Sequence, residues 1–170
     1  MEESIFVYIN GEPTHGIWID LEGIMDWDEI KEILAENEII PRNADDEPEY
    51  GGDLLVATTE GELSQHFYHS MTDTFDLDGF VECFEHKGID SDAKAAYMAC
   101  FNTWSASDFD DRYAGKYDSW KDYAENYIDD TGMLNDIPEN LRYYFDYEAF
   151  ARDLRLSGDM CEDSGFFFHN

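Results

Sequence analysis

Few residues in this 170-residue chain are spaced to do covalent chemistry. The nearest approach to a ligand set is Thr74-Phe75-Asp76-Leu77-Asp78-Gly79-Phe80-Val81-Glu82-Cys83-Phe84-Glu85. It places Asp76, Asp78 and Glu85 at the third, fifth and twelfth positions of a calcium loop, with Gly79 at the sharp turn. Thr74 stands where the first aspartate is needed, and no second loop accompanies it. The competing reading is a helix N-cap on Asp76 or Asp78, and it is preferred. Spaced carboxylates arise easily in a chain with 41 Asp and Glu. His66 and His69 share a face if their segment is helical, but HExxH and HxxxH are absent. Cys83, Cys100 and Cys161 are distant and outside any CxxC arrangement, which suits small buried hydrophobes in a reducing compartment better than disulfides or zinc. Neither GxSxG, a P-loop nor a dinucleotide fingerprint occurs. The expectation is a protein that is not an enzyme and uses no metal or cofactor.

Charge is the dominant physical property. Ten Lys and Arg leave a formal net charge of −31. Duplex DNA carries one charge per ~1.7 Å of axis, so this equals roughly 53 Å of duplex. Nucleic acid and anionic membranes are repelled, while basic grooves attract such a chain at long range. Acidity of this degree often signals disorder, but 43% hydrophobic and 16% aromatic residues argue for packed structure. The acidic start Met1-Glu2-Glu3 lacks the basic flank of a signal peptide. No apolar run approaches the ~20 residues that span a bilayer. A soluble, cytoplasmic protein is expected.

Three segments position these charges. In the first, residues 1–61, Ile5, Val7 and Ile9 alternate with Phe6 and Tyr8 as a strand. Asn10-Gly11-Glu12-Pro13 turns the chain into a returning strand, Gly16-Ile17-Trp18-Ile19-Asp20-Leu21. Asp26 with Glu29 starts a helix whose buried stripe is Ile30, Ile33 and Leu34, and Leu54–Thr58 is a third strand after a polar loop. Residues 62–107 read as a small helical bundle. Leu63, Phe67 and Met71 form one helical stripe, Phe80, Cys83 and Phe84 a second, and the run from Ala93 to Trp104 a third. In residues 108–170, Phe109–Gly115 reads as a strand. Ser119 with Asp122 opens a helix that Gly132 ends. Asp136 with Glu139 opens another, with Pro138 in its first turn and Asp146 as a point where it divides, and Gly165–His169 is a final strand. The fold class is α+β: a three-stranded antiparallel sheet with a helix, a small helical bundle and an α+β C-terminal domain.

One stretch is specific enough to resemble a family. Thr131-Gly132-Met133-Leu134-Asn135-Asp136-Ile137-Pro138-Glu139, followed by Tyr144-Phe145-Asp146-Tyr147-Glu148-Ala149-Phe150-Ala151-Arg152-Asp153-Leu154, resembles the C-terminal signature of the ArdA antirestriction family. Gly16-Ile17-Trp18-Ile19-Asp20-Leu21 is similar to that family's G-x-W-x-D-L strand. The chain departs from the family at Asp46–Asp53, which is shortened, and at Phe166–Asn170, which lacks the usual arginines. The resemblance implies a mimic of bent DNA, built as an elongated string of three small domains and joined into a homodimer through the C-terminal domain. It further implies occupation of the DNA groove of type I restriction-modification enzymes, on their specificity and modification subunits. That activity protects incoming plasmid or phage DNA, such as a mobile element, in a bacterial host.

On this reading the site is a distributed acidic surface: Asp45, Asp46, Glu47, Glu49, Asp53, Asp73, Asp76, Asp78, Glu82, Asp90, Asp92, Asp110 and Asp111. Each exposed ion pair contributes only ~0–1 kcal/mol, so an array is required rather than one residue. The signature and dimer seam comprise Asp136, Pro138, Glu139, Leu141, Tyr144, Phe145, Asp146, Tyr147, Glu148, Arg152 and Asp153. Two other functions compete with this one. The chain could be an acidic adaptor for some other basic DNA-binding protein, or a calcium-responsive module using residues 74–85.

Overall fold

The computed structural model describes residues 3–170, so Met1 and Glu2 of the acidic start lie outside the described part. The N-terminal sheet has the order β2-β1-β3, all antiparallel, from β1 (Ser4–Ile9), β2 (Gly16–Asp20) and β3 (Leu54–Glu60). Strand alternation sends Ile5, Val7, Ile19 and Val56 to its buried face. Helix α1 (Trp27–Glu36) covers that face with Ile30, Leu34 and Ala35, while Ile33 is half-buried. Its start approximates the expected capping box, with the return bond one residue before the cap. Asp26 accepts from the amides of Asp28 and Glu29, and Glu29 reaches back to the amide of Met25 at 2.6 Å.

The middle segment departs from the helical expectation. Leu63 and Phe67 are buried, but only a single 3-10 turn, Ser64–Phe67, lies between them. The chain then forms a short hairpin, β4 (Tyr68–His69) with β5 (Thr74–Phe75), and Met71 stands 98% exposed at its tip. A tertiary clamp explains the turn. Asp73 adopts φ +53°, its carbonyl accepts from the Val56 amide at 2.7 Å, and its carboxylate accepts from the phenols of Tyr8 and Tyr68. Helix α2 (Leu77–Glu85) follows, capped by Asp76 on the amide of Gly79. Helix α3 (Ser91–Phe101) ends at Asn102 in the left-handed region. The strand expected at Phe109–Gly115 is mostly helix α4 (Ala106–Arg112). Ser105 caps it, Asp108 and Arg112 pair one turn apart at 2.9 Å, and Phe109 is buried.

The C-terminal sheet has the order β6-β8-β7, from β6 (Tyr113–Lys116), β7 (Met160–Asp163) and β8 (Phe166–His169). Ser164 and Gly165 both have positive φ, the geometry of a two-residue hairpin, and join β7 to β8. Helix α5 (Trp120–Thr131) starts at the Ser119 cap and stops at Gly132, as expected. The signature splits into α6 (Glu139–Arg142) and α7 (Tyr147–Ser157). Pro138 occupies the cap of α6 without a side-chain bond, so Asp136 does not cap it, whereas Asp146 caps α7 on the amide of Ala149 at 3.0 Å.

Strand β8 is buried on both faces. Phe166 and Phe168 join the main core, where Phe168 packs against Tyr97, Phe101 and Phe109. Phe167 faces the other way into a smaller cluster with Tyr117, Trp120 and Tyr123. Cys100 of α3 is joined to Cys161 of β7 in a disulfide, with Cα atoms 6.1 Å apart. This corrects the expectation of three free thiols: β7 runs alongside α3 and brings together two cysteines 61 residues apart. Cys83 remains free and buried. Lys94, almost fully buried, donates from Nζ to the carbonyls of Cys83, Phe84 and His86, tying α3 to the end of α2.

The accessible surface is 10287 Å². A compact monomer of this mass exposes roughly 8,600 Å². The excess is what an array of small layers produces. Among the described residues, no helix is long and apolar enough to cross a membrane.

Candidate target-binding surface

The acids face water. Glu3 alone among the described Asp and Glu is buried, where its carboxylate accepts from the amides of Leu63 and Ser64. Asp45, Asp46, Glu47 and Glu49 crowd the turn between α1 and β3 and are all exposed. Asn43 shapes that turn by accepting from the amides of Asp45 and Glu47 at 2.9 and 3.0 Å. Arg42 anchors its base to Glu32 and to the carbonyl of Asp46, and its guanidinium lies 4.0 Å from the Asp46 carboxylate. Asp53 is exposed just before β3.

A second group lies on the middle helices. Asp76, Asp78 and Glu82 are exposed along α2, Asp90 and Asp92 at the start of α3, and Asp110 and Asp111 on α4. Asp110 lies 3.1 Å from His86. Asp73 does not belong with them. It is half-buried and committed to two internal phenols, so it is a structural clamp.

The calcium-loop reading is overturned. Leu77–Glu85 is helix, which carries Glu85 away from Asp76 rather than wrapping both around one point. No cluster of His, Cys, Asp and Glu suited to a metal ion occurs among the described residues. His66 and His69 sit on the 3-10 turn and on β4, not on one helix, yet both line a polar cleft of about 400 Å³ with Asp76, Glu82 and Trp104. Burial lowers the pKa of His66.

Half of the ten bases are paired with acids of the chain itself, so few cations stand alone among the carboxylates. Lys31 pairs with Asp28, Arg112 with Asp108, and Lys121 with Glu125 and Glu148. Arg112 holds the Asp108 carboxyl below its usual range, helped by the Tyr97 phenol. Burial, with Asp108 beside it, pushes that phenol up to about 12. The buried Cys83 thiol is likewise pushed up to about 12.

In the signature, Phe145 and Tyr147 pack edge to face, and Phe145 also meets Phe150. Leu141, Tyr143 and Tyr144 do not join any core. They are 50%, 89% and 78% exposed and form an apolar strip around α6. Asp136, Pro138, Glu139, Asp146, Glu148, Arg152 and Asp153 are all exposed around it. Tyr143 was not singled out from the sequence, although it sits beside Tyr144 in the same signature.

The family model for antirestriction protein (ArdA) matches residues 6–168, nearly the whole chain. The chain belongs to the ArdA antirestriction family. No significant match was found among curated proteins. Membership implies antirestriction activity against type I restriction enzymes, and the family is one of inhibitors.

Proposed function

We propose that this ArdA-family chain inhibits type I restriction-modification enzymes by occupying their DNA-binding groove as a mimic of DNA charge. One observation carries the reading: most of the acids of a −31 chain are exposed, and half of its bases are already paired within the chain. Carboxylates held on short capped helices and one tight turn stand where phosphates would lie. The large accessible surface supports an elongated particle in which residues 1–61, 62–107 and 108–170 act as three units in a row. The aromatic layer around β8 and the Cys100–Cys161 bond would hold the second and third units in fixed relation, so the array is preorganised.

The same reading includes a homodimer through the strip at Leu141, Tyr143 and Tyr144. Two chains of −31 repel one another, and apolar burial is needed to offset that. Pairing would double the array along one path.

The test is inhibition of a purified type I enzyme across a range of DNA and salt concentrations. Inhibition should be stoichiometric, competitive with DNA, and progressively weaker as salt rises, because exposed charges are screened within ~8–10 Å at 0.1–0.15 M. An affinity that stays constant from low to high salt overturns the electrostatic mechanism.

A further inference from the structure

The outer face of the N-terminal sheet carries a feature that charge alone does not account for. Phe6 of β1 is directly opposite Trp18 of β2 and Thr58 of β3. Two positions along, Ser4 is opposite Asp20 and Glu60. Opposed residues and residues two apart share a face, so the aromatic pair and both carboxylates point the same way. The other face is filled by α1 and the core.

The pair is held in place. The rings of Phe6 and Trp18 meet edge to face, 5.6 Å apart at 70°. A side chain at Gly16 would collide with the Val7 carbonyl and the Tyr8 side chain and also meet the Phe6 ring at 2.9 Å, so the sheet is closely packed beside this ring. Trp18 nevertheless remains 45% exposed, with exposed Asp20 two residues along the same strand, while exposed Thr58 and Glu60 lie on β3 across β1. Asp20 spends one oxygen on the amide of Glu22 and keeps the other.

We propose that this face is a docking surface for arginine side chains of a basic protein partner. The proposal rests on the reading that the partner's groove is cationic and names the chemistry by which one end of the array would engage it. A guanidinium is planar, stacks on an indole and forks to a carboxylate, and a lysine ammonium does neither as well. Anionic partners are excluded by the field of the chain. An arginine seated here contributes a contact that salt weakens less than it weakens exposed ion pairs, because stacking needs no long-range charge.

The experiment titrates the full chain with oligo-arginine and oligo-lysine peptides of equal length at matched salt, by calorimetry. The parent should favour the arginine peptide by about fivefold. Trp18→Ala should abolish that preference and leave lysine-peptide binding unchanged. Trp18→Thr, which keeps strand propensity, should do the same and guards against a folding defect, with circular dichroism on both. Loss of both peptides equally, or of neither, overturns the proposal. So does a change in sedimentation on Trp18→Ala, which would make this face a contact between copies of the chain. No restriction enzyme is present, so the outcome is separate from the groove reading. A retained arginine preference without competition against DNA would sink only the latter.

Discussion

Tyr144→Ala is the sharpest probe of the proposed dimer, because the side chain is 78% exposed in the protomer and supports no core. Full burial of an aromatic contributes on the order of 2–3 kcal/mol. Scaled by its exposure, Tyr144 offers about 2 kcal/mol, and a two-fold interface uses each residue twice, giving about 4 kcal/mol. Alanine keeps a small part of that area, so the dimer should lose about 3 kcal/mol, more than a hundredfold in dissociation constant. The protomer should lose no more than ~0.5 kcal/mol of stability, as for other surface changes. Phe145→Ala is a poorer probe, since its ring packs on Tyr147 and Phe150 and its loss would disturb α7. The assay is sedimentation equilibrium over a salt series, with circular dichroism as the folding control. Moderate salt should strengthen the parent dimer by screening repulsion between two −31 chains, the reverse of its effect on target binding. If folded Tyr144→Ala and Leu141→Ala proteins both dimerise as the parent does, the seam lies elsewhere and the reasoning fails.

Neutralising Asp45 or Asp92 alone should cost under ~1 kcal/mol of binding to the type I enzyme, whereas Asp45, Asp46, Glu47 and Glu49 changed together should cost several-fold more; one such single change that abolishes inhibition in a folded protein would point to a local active site. Asp108 has a folded pKa below its unfolded value, so its contribution to stability is present above pH ~4 and lost as pH falls through the folded value. Melting curves of the parent and Asp108→Asn should therefore differ at neutral pH and converge in acid; a constant gap refutes the Arg112 and Tyr97 pairing as its source. Cleaving the Cys100–Cys161 bond releases a 61-residue span, about 4 kcal/mol of chain entropy by the loop model, and reductant should lower the melting temperature by roughly 10 °C. An unchanged melt with reductant, against a Cys100→Ser control, would show that the bond does not constrain the chain.

The sequence by itself determined the features that rest on local or summed chemistry. Net charge needs no coordinates, and the caps at Asp26, Ser119 and Asp146 are set within three residues of each helix start. The stop at Gly132 and the alternation in β1 and β2 are equally local. The signature around Tyr144–Leu154 carried the family. Trp18 could have been recognised as outward-facing, because it falls out of phase with Ile17 and Ile19 on a period-two strand. Tertiary structure decided whatever depended on residues far apart in the chain. Leu63, Phe67 and Met71 are spaced for a helix, but Tyr8 and Val56 capture Asp73 and bend the segment into a hairpin that leaves Met71 in water. The same long-range contact turned Asp73 from a surface charge into a clamp. Cys100 and Cys161 became partners only because β7 lies against α3. Leu141 and Tyr144 resemble core residues by type, and only packing showed that Phe145, Tyr147 and Phe150 meet one another while their neighbours stay in solvent. Spacing records which side chains could share a face; the rest of the chain settles which face is covered.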